Sequence, residues 1–206
     1  MNAHKILIVD DEPDNIRAIR NCLAESDEPY TLYQALNGEL AIKITTTEMP
    51  DLIITDWEMP GMTGIELIKL LKQNEATSEI PVIMCTGVMT SSENLHTALK
   101  AGAVDYVRKP VDKIELVARV KSMLELSDSK KVLKEKYQVI EQNMKFIHAI
   151  MESIPFPFVY YQTDGTIKGY NHHFDSLLQL ANQDIKETLL YDYAFFVNAG
   201  FHRKHD

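Results

Sequence analysis

Apolar residues along this chain come in two rhythms before giving way to a third texture. Residues 6–9, 52–54 and 82–84 are continuous apolar runs, and further strand-like bursts lie at 30–35 and 104–107. Short, unbroken runs rich in branched residues predict strands covered on both faces. Between them the spacing changes to steps of three and four. Ile16, Ile19 and Leu23 follow Pro13, while Leu40, Ala41 and Ile44 follow Asn37. Residues 65–71 form a third helical stretch, and Leu95, Ala98 and Leu99 a fourth, which stops at Gly102. A further helix is expected after Pro110. Strands alternating with helices predict an α/β fold built on a doubly wound, five-stranded parallel sheet, ending near Leu126.

Beyond Leu126 the rhythm is helical only. Ser127, Asp128 and Ser129 read as a soft joint. Leu133, Tyr137, Ile140, Met144, Ile147, Met151 and Ile154 then recur at alternating steps of four and three. Traced backwards, the register passes through Lys130 to Leu126 and Met123, so the last helix of the first domain can run on into a coiled coil in phase. Unbroken from residue 112 to 152, it would be roughly 60 Å long at about 1.5 Å per residue. A self-complementary seam of this kind predicts a homodimer, the alternative being an amphipathic helix folded back onto one of the domains. Val132, Val139 and Phe146 widen the stripe and leave the oligomer number open.

From Ile154 the chain turns aromatic and extended. Asp164-Gly165 predicts a tight hairpin between residues 156–162 and 166–170. Asn171 predicts the cap of a helix carrying Phe174, Leu177, Leu178 and Ala181. Asp184, Ile185 and the aromatics Tyr191, Tyr193, Phe195 and Phe196 follow. The expected organisation is therefore residues 1–126, a linker helix at 127–152, and a small α+β segment at 153–206.

Composition narrows the classes. The 206 residues carry 30 acidic and 21 basic side chains, a net charge of −9, which argues against direct nucleic-acid binding. No apolar run approaches the ~20 residues of a membrane span, and the N-terminal run is too short for a signal-peptide core. Cys22 and Cys85 fall in a predicted helix and a predicted buried strand. They read as reduced core residues of a cytoplasmic protein.

The candidate chemistry sits where strands end. Asp10 and Asp11 follow the first strand, Asp56 the third, Thr86 the fourth and Lys109 the fifth. In a parallel sheet these ends share one edge, where ligands bind at the switch point between the first and third strands. Three carboxylates gathered there repel one another without a cation, and hard oxygen donors suit Mg²⁺. A carboxylate beside such a cation can act as nucleophile toward a phosphoryl group, with an ammonium such as Lys109 neutralising the developing charge. Thr86 can donate a hydroxyl hydrogen bond to a phosphoryl oxygen. Singly, each residue reads as a turn, cap or surface residue. Together, at four strand ends, they read as a site.

With these motifs in view, residues 1–126 resemble a response-regulator receiver domain of bacterial two-component signalling. The resemblance lies in Ile6-Leu7-Ile8-Val9-Asp10-Asp11-Glu12, in Asp56-Trp57-Glu58-Met59-Pro60-Gly61-Met62-Thr63-Gly64, in Thr86-Gly87 and in Tyr106-Val107-Arg108-Lys109-Pro110. It implies a flavodoxin-like sheet of order 2-1-3-4-5 and Asp56 as acceptor of a phosphoryl group from a sensor histidine kinase or phosphotransfer protein. It further implies Mg²⁺ held by Asp11, Asp56 and the backbone carbonyl of Glu58, with Asp10 acting through water. Thr86 and Lys109 would contact the phosphoryl group, Tyr106 would be the switch aromatic, and the Lys109-Pro110 bond would be cis. Residues 152–206 resemble the N-terminal half of a PAS sensor domain, through Ser153-Ile154-Pro155, the Asp164-Gly165 hairpin, Asn171-His172-His173-Phe174 and Asp184-Ile185.

Two readings compete with a phosphorylation-activated response regulator driving an output module. One makes the chain the N-terminal part of a larger signalling enzyme, such as a hybrid histidine kinase or a diguanylate cyclase. The other is a Mg²⁺-dependent aspartyl-phosphate phosphatase. That chemistry needs an Asp two residues after the nucleophile, where Glu58 stands, and a small residue where Met59 follows. No independent enzyme activity is expected beyond phosphorylation and dephosphorylation of Asp56 itself. His148, followed by Ala149 and Ile150 at a position flanking the seam, reads as a solvated side chain rather than a phosphoacceptor. His172 and His173 read as first-turn helix residues.

Overall fold

The computed structural model describes residues 3–26, 28–87, 98, 100–178 and 188. Two compact units divide the chain, Met1–Leu133 and Lys134–Asp206. In the first, strands β1 (His4–Val9), β2 (Tyr30–Ala35), β3 (Leu52–Asp56), β4 (Val82–Thr86) and β5 (Asp105–Arg108) form one sheet of order β2-β1-β3-β4-β5. Every neighbouring pair is parallel. This is the doubly wound arrangement expected, with the order reversing between β1 and β3.

Alternation along the strands creates two cores. Leu7, Val9, Ile53, Val82 and Met84 point to one face, where they meet Leu67, Ile68 and Leu71 of helix α3 (Gly64–Gln73) and Ala41 of α2 (Gly38–Glu48). Ile6, Ile8, Leu52, Ile54, Ile83 and Cys85 point to the other. There they meet Ile16, Ile19 and Leu23 of α1 (Pro13–Ala24) and Leu116, Val120 and Leu124 of the long helix α4 (Lys113–Ser153). Burial of each such Ile or Leu contributes roughly 1.5–3 kcal/mol, which explains why residues 6–9, 52–54 and 82–85 are apolar at consecutive rather than alternate positions.

Helix starts follow their local chemistry. Thr63 and Glu66 form a reciprocal capping box at α3, the Glu66 carboxylate accepting from the Thr63 amide at 2.9 Å. The Asn37 side chain accepts from the Leu40 amide at 2.8 Å. The helix expected through Leu95 and Leu99 lies largely outside the described residues.

Residues 127–129, where a joint and a continuous helix were both conceivable, are helical within the 41 residues of α4. Around them Lys131 pairs with Asp51 at 2.9 Å, and the His4 ring lies 3.5 Å from Asp128. Asp51 is held below the usual carboxylate range. Burial pushes it up, but hydrogen bonds from Lys131 and the Lys5 amide outweigh that. Among the described residues no helix is long and apolar enough to cross a membrane.

In the second unit, β6 (Val159–Tyr161) and β7 (Ile167–Tyr170) form an antiparallel hairpin. Its turn uses the predicted Asp164-Gly165. Gly165 adopts φ of +88°, and Asp164 accepts from the Thr166 amide at 2.9 Å. Tyr160 lies against Gly169, where a Cβ would come within 2.3 Å of the ring. Asn171 caps α5 (His172–Leu178) by accepting from the Phe174 amide, as predicted, but does more. Its amide nitrogen also donates to the carbonyls of Met151, Ile154 and Phe156, and its oxygen accepts from Phe158 N. Fully buried, it ties the end of α4 to the hairpin. The expected aromatic cluster at 191–196 and the Asp184-Ile185 pair lie outside the described residues.

Candidate functional site

Four strand ends converge on a cleft of about 600 Å³ at the C-terminal edge of the sheet, between the β1 and β3 ends. Asp11, Asp56, Thr86 and Lys109 line it together with Glu12, Asn15, Trp57 and Glu58, and Asp10 lies beneath, fully buried. All five side chains expected at the strand ends are thus brought together. Tyr106 stands apart from the cleft. It pairs in the ladder with Met84, two residues before Thr86 and on the same face, and the Arg119 guanidinium lies 5.8 Å from its ring centre.

The Asp56 and Asp10 carboxylates are oriented by local backbone. Asp56 is 7% exposed, and its Oδ2 accepts from the Glu58 amide at 3.1 Å. Gly64 makes this loop possible. Its amide donates to the Trp57 carbonyl, and a Cβ there would stand 2.1 Å from the Asp56 carbonyl oxygen. Asp10 Oδ1 accepts from the Glu12 amide at 3.0 Å. Lys109 is held by its own amide, which donates to the Thr86 carbonyl, and the bond to Pro110 is cis.

The electrostatics are those of a crowded acidic site faced by one cation. Lys109 Nζ lies 2.7 Å from Asp10 and 2.5 Å from Asp56. Burial pushes the Asp56 carboxyl above its ordinary range, and the Lys109 ammonium offsets this only in part. Burial would draw Lys109 down, but its hydrogen bonds to Asp10 and Asp56 and their charges raise it, so it stays an ammonium.

Oxygen atoms of Asp10, Asp11 and Asp56 can all lie within 4.8 Å of one another. Three hard anionic donors at that spacing, partly open to solvent, fit a small divalent cation such as Mg²⁺. They do not fit a soft metal, which would want thiolate or imidazole.

Sequence reasoning did not single out Asn15 or Trp57. Trp57 follows directly from its place after Asp56. Asn15 carried a subtler signal, because a first-turn residue after Pro13 faces back over the strand end that precedes the helix.

Fold and cleft together define an open α/β module whose acidic site sits at its topological switch point. The sequence profile of the response regulator receiver domain matches residues 6–121, more than half of the chain, and the chain belongs to that family. Receiver domains take phosphoryl groups from histidine kinases in phosphorelay signalling.

The phosphate regulon transcriptional regulatory protein PhoB of Pseudomonas aeruginosa is 42% identical over 121 residues, 58% of this chain and 51% of PhoB. Hybrid signal transduction histidine kinase D of Dictyostelium discoideum is 36% identical over 131 residues, 63% of this chain but 8% of the kinase. Among solved structures, a response regulator from Desulfuromonas acetoxidans superposes with a TM-score of 0.54 at 32% identity, covering 60% of this chain and 98% of its own. This chain thus spans about half the length of PhoB and a small part of the kinase.

Proposed function

We propose that Asp56 is the phosphoacceptor of this receiver, in a Mg²⁺-dependent transfer from a sensor histidine kinase or phosphotransfer protein in the cytoplasm. The observation that carries the reading is the placement of Lys109, its ammonium shared between Asp10 and Asp56. In the transfer an Asp56 oxygen forms a bond to phosphorus as the donor's P–N bond breaks, and the imidazole nitrogen keeps the electron pair. Asp11, Asp56 and the Glu58 carbonyl would hold the cation, with Asp10 acting through water, and the cation would supply positive charge to offset the charge that builds up on the phosphoryl group. Lys109 pairs with the same developing charge, and Thr86, at the cleft wall, donates to a phosphoryl oxygen. The test is incubation of the full chain with Mg²⁺ and acetyl phosphate. One phosphoryl group, stable to acid and labile to base, is expected, and labelling without a divalent cation overturns the assignment.

Thr86 and Tyr106 then form the switch. A two-state element must link the site to the rest of the molecule, and this pair shares one sheet face, with Thr86 lining the cleft. Thr86→Ala is expected to accept the phosphoryl group yet lose the phosphorylation-dependent change at the Tyr106 ring, read by NMR. An unchanged Tyr106 response in that variant excludes the coupling.

Output passes through α4 as a homodimeric coiled coil into the PAS-like segment. In support, Leu133, Tyr137, Ile140, Met144 and Ile147 are all about half exposed or more along one stripe. Met151, next in the register, is buried in its own unit, where it lines a cavity with Tyr160 and Tyr170. Ile140→Asp should split the dimer in light scattering, since burying an unpaired charge costs several kcal/mol; a monomeric wild type refutes the seam. The similarity to a hybrid kinase favours a second reading, in which this chain is the receiver-bearing part of a larger signalling enzyme.

A further inference from the structure

Asp10 is fully buried, yet its carboxylate is gripped at both ends. Oδ2 accepts from Lys109 Nζ at 2.7 Å. Oδ1 accepts from the Glu12 amide and from Asn15 Nδ2, each at 3.0 Å. The same Asn15 nitrogen lies 3.2 Å from Glu12 Oε2, so both N–H bonds of one amide are spent on acidic side chains at the cleft. Asn15 itself lines that cleft.

We propose that Asn15 is a positioning residue for the phosphoryl-transfer site, acting through Asp10 and Glu12 to set how tightly a divalent cation is held. This rests on the reading of the cleft given above. The residue type matters. A neutral amide satisfies Asp10 Oδ1 without placing a positive charge beside a cation site, as Lys or Arg would. It also supplies two donors in a fixed plane, so Asp10 keeps its orientation while the Glu12 carboxylate is tied back. Without the amide, Oδ1 keeps only a backbone donor on that side, and Glu12 is free to swing among the other carboxylates. Groups that orient metal ligands from behind typically affect metal affinity by about 10–100-fold.

A purely structural Asn15, serving only the first turn of α1, predicts a different result. It would lower the melting temperature of the metal-free protein and leave cation affinity unchanged. The two are separated by titrating Mn²⁺ and Mg²⁺ into the full chain while following Trp57, the only tryptophan, which lines the same cleft. Asn15→Ala is expected to weaken cation binding roughly tenfold, and Asn15→Gln, which keeps the amide, to recover most of the loss. With acetyl phosphate, the Asn15→Ala rate should fall at low Mg²⁺ and return toward wild type at saturating Mg²⁺. Wild-type affinity in Asn15→Ala, an Asn15→Gln variant as weak as Asn15→Ala, or a wild type that binds neither cation overturns the proposal. A wild type that binds cations with the expected Asn15 dependence but takes no phosphoryl group overturns the phosphoacceptor reading alone.

Discussion

Asp56→Asn is expected to take up no phosphoryl group from acetyl phosphate, while its metal-free form melts at a higher temperature than wild type. The first half follows from chemistry, because the amide is not a nucleophile toward phosphorus. The second follows from the energetics of the cleft. Burial raises the Asp56 pKa despite the adjacent Lys109. A carboxyl whose folded-state pKa is raised costs stability wherever it is ionised in the folded protein, and the cost is relieved as pH falls through the folded-state value. Asn resembles the protonated carboxyl in shape and charge. Its advantage should therefore shrink as pH is lowered toward the ordinary carboxylate range. Lys109 retains Asp10 as partner at 2.7 Å, so the variant leaves no unpaired buried ammonium. Melting curves at neutral and acidic pH without metal check this. A variant less stable than wild type at neutral pH would show that the Lys109 pair outweighs the burial of Asp56.

Gly64→Ala should be the most damaging single-methyl change near the site. The added carbon would stand 2.1 Å from the Asp56 carbonyl oxygen and 3.2 Å from its carbonyl carbon. These are backbone atoms at the end of a fully buried strand, so no flexible side chain can yield. Something in the β3–α3 connection must move, and forcing extra volume into a packed interior costs about 1–3 kcal/mol. The displaced carbonyl belongs to the residue that carries the acceptor carboxylate, so the change should lower phosphorylation as well as stability. Urea unfolding and the phosphorylation rate, measured on the same preparation, test both. Gly61→Ala is the informative contrast. Its positive φ of 81° would be strained, but no atom lies within 4 Å of the added carbon, so the acceptor loop should keep its shape.

How much of this was legible beforehand depended on whether the signal was local. The strands β1, β3 and β4 are readable because each carries a run of consecutive apolar residues, 6–9, 52–54 and 82–85, a demand that only a sheet covered on both faces makes. The convergence of Asp10, Asp11, Asp56, Thr86 and Lys109 was readable because parallel topology puts all strand ends on one edge. Boundaries differ at polar residues. β1 begins at His4, β3 runs on to Asp56, β4 runs on to Thr86, and β5 is Asp105–Arg108, since ladder hydrogen bonds continue where apolar patterning stops. The sequence marks Asn171 as a helix cap alone, because its bonds to Met151, Ile154 and Phe156 depend on how the chain returns past the end of α4. No local pattern encodes that return. The double grip of Asn15 is local, reaching Asp10 five residues back and Glu12 three, but an Asn in a first helical turn reads equally well as a solvated side chain.

Cys85 lies directly opposite Asp56 in the β3–β4 ladder, wholly buried, with its thiol pushed up to about 12 by that burial. Since the thiolate is the reactive form, an alkylating reagent is shut out twice, by access and by protonation. Modification at this position therefore waits for the central strands to part, and its rate counts those openings. The chain thus carries its own timer for the stability of the sheet beneath the acceptor. Anything that tightens the cleft above, whether cation or phosphoryl group, should register there as a slower clock.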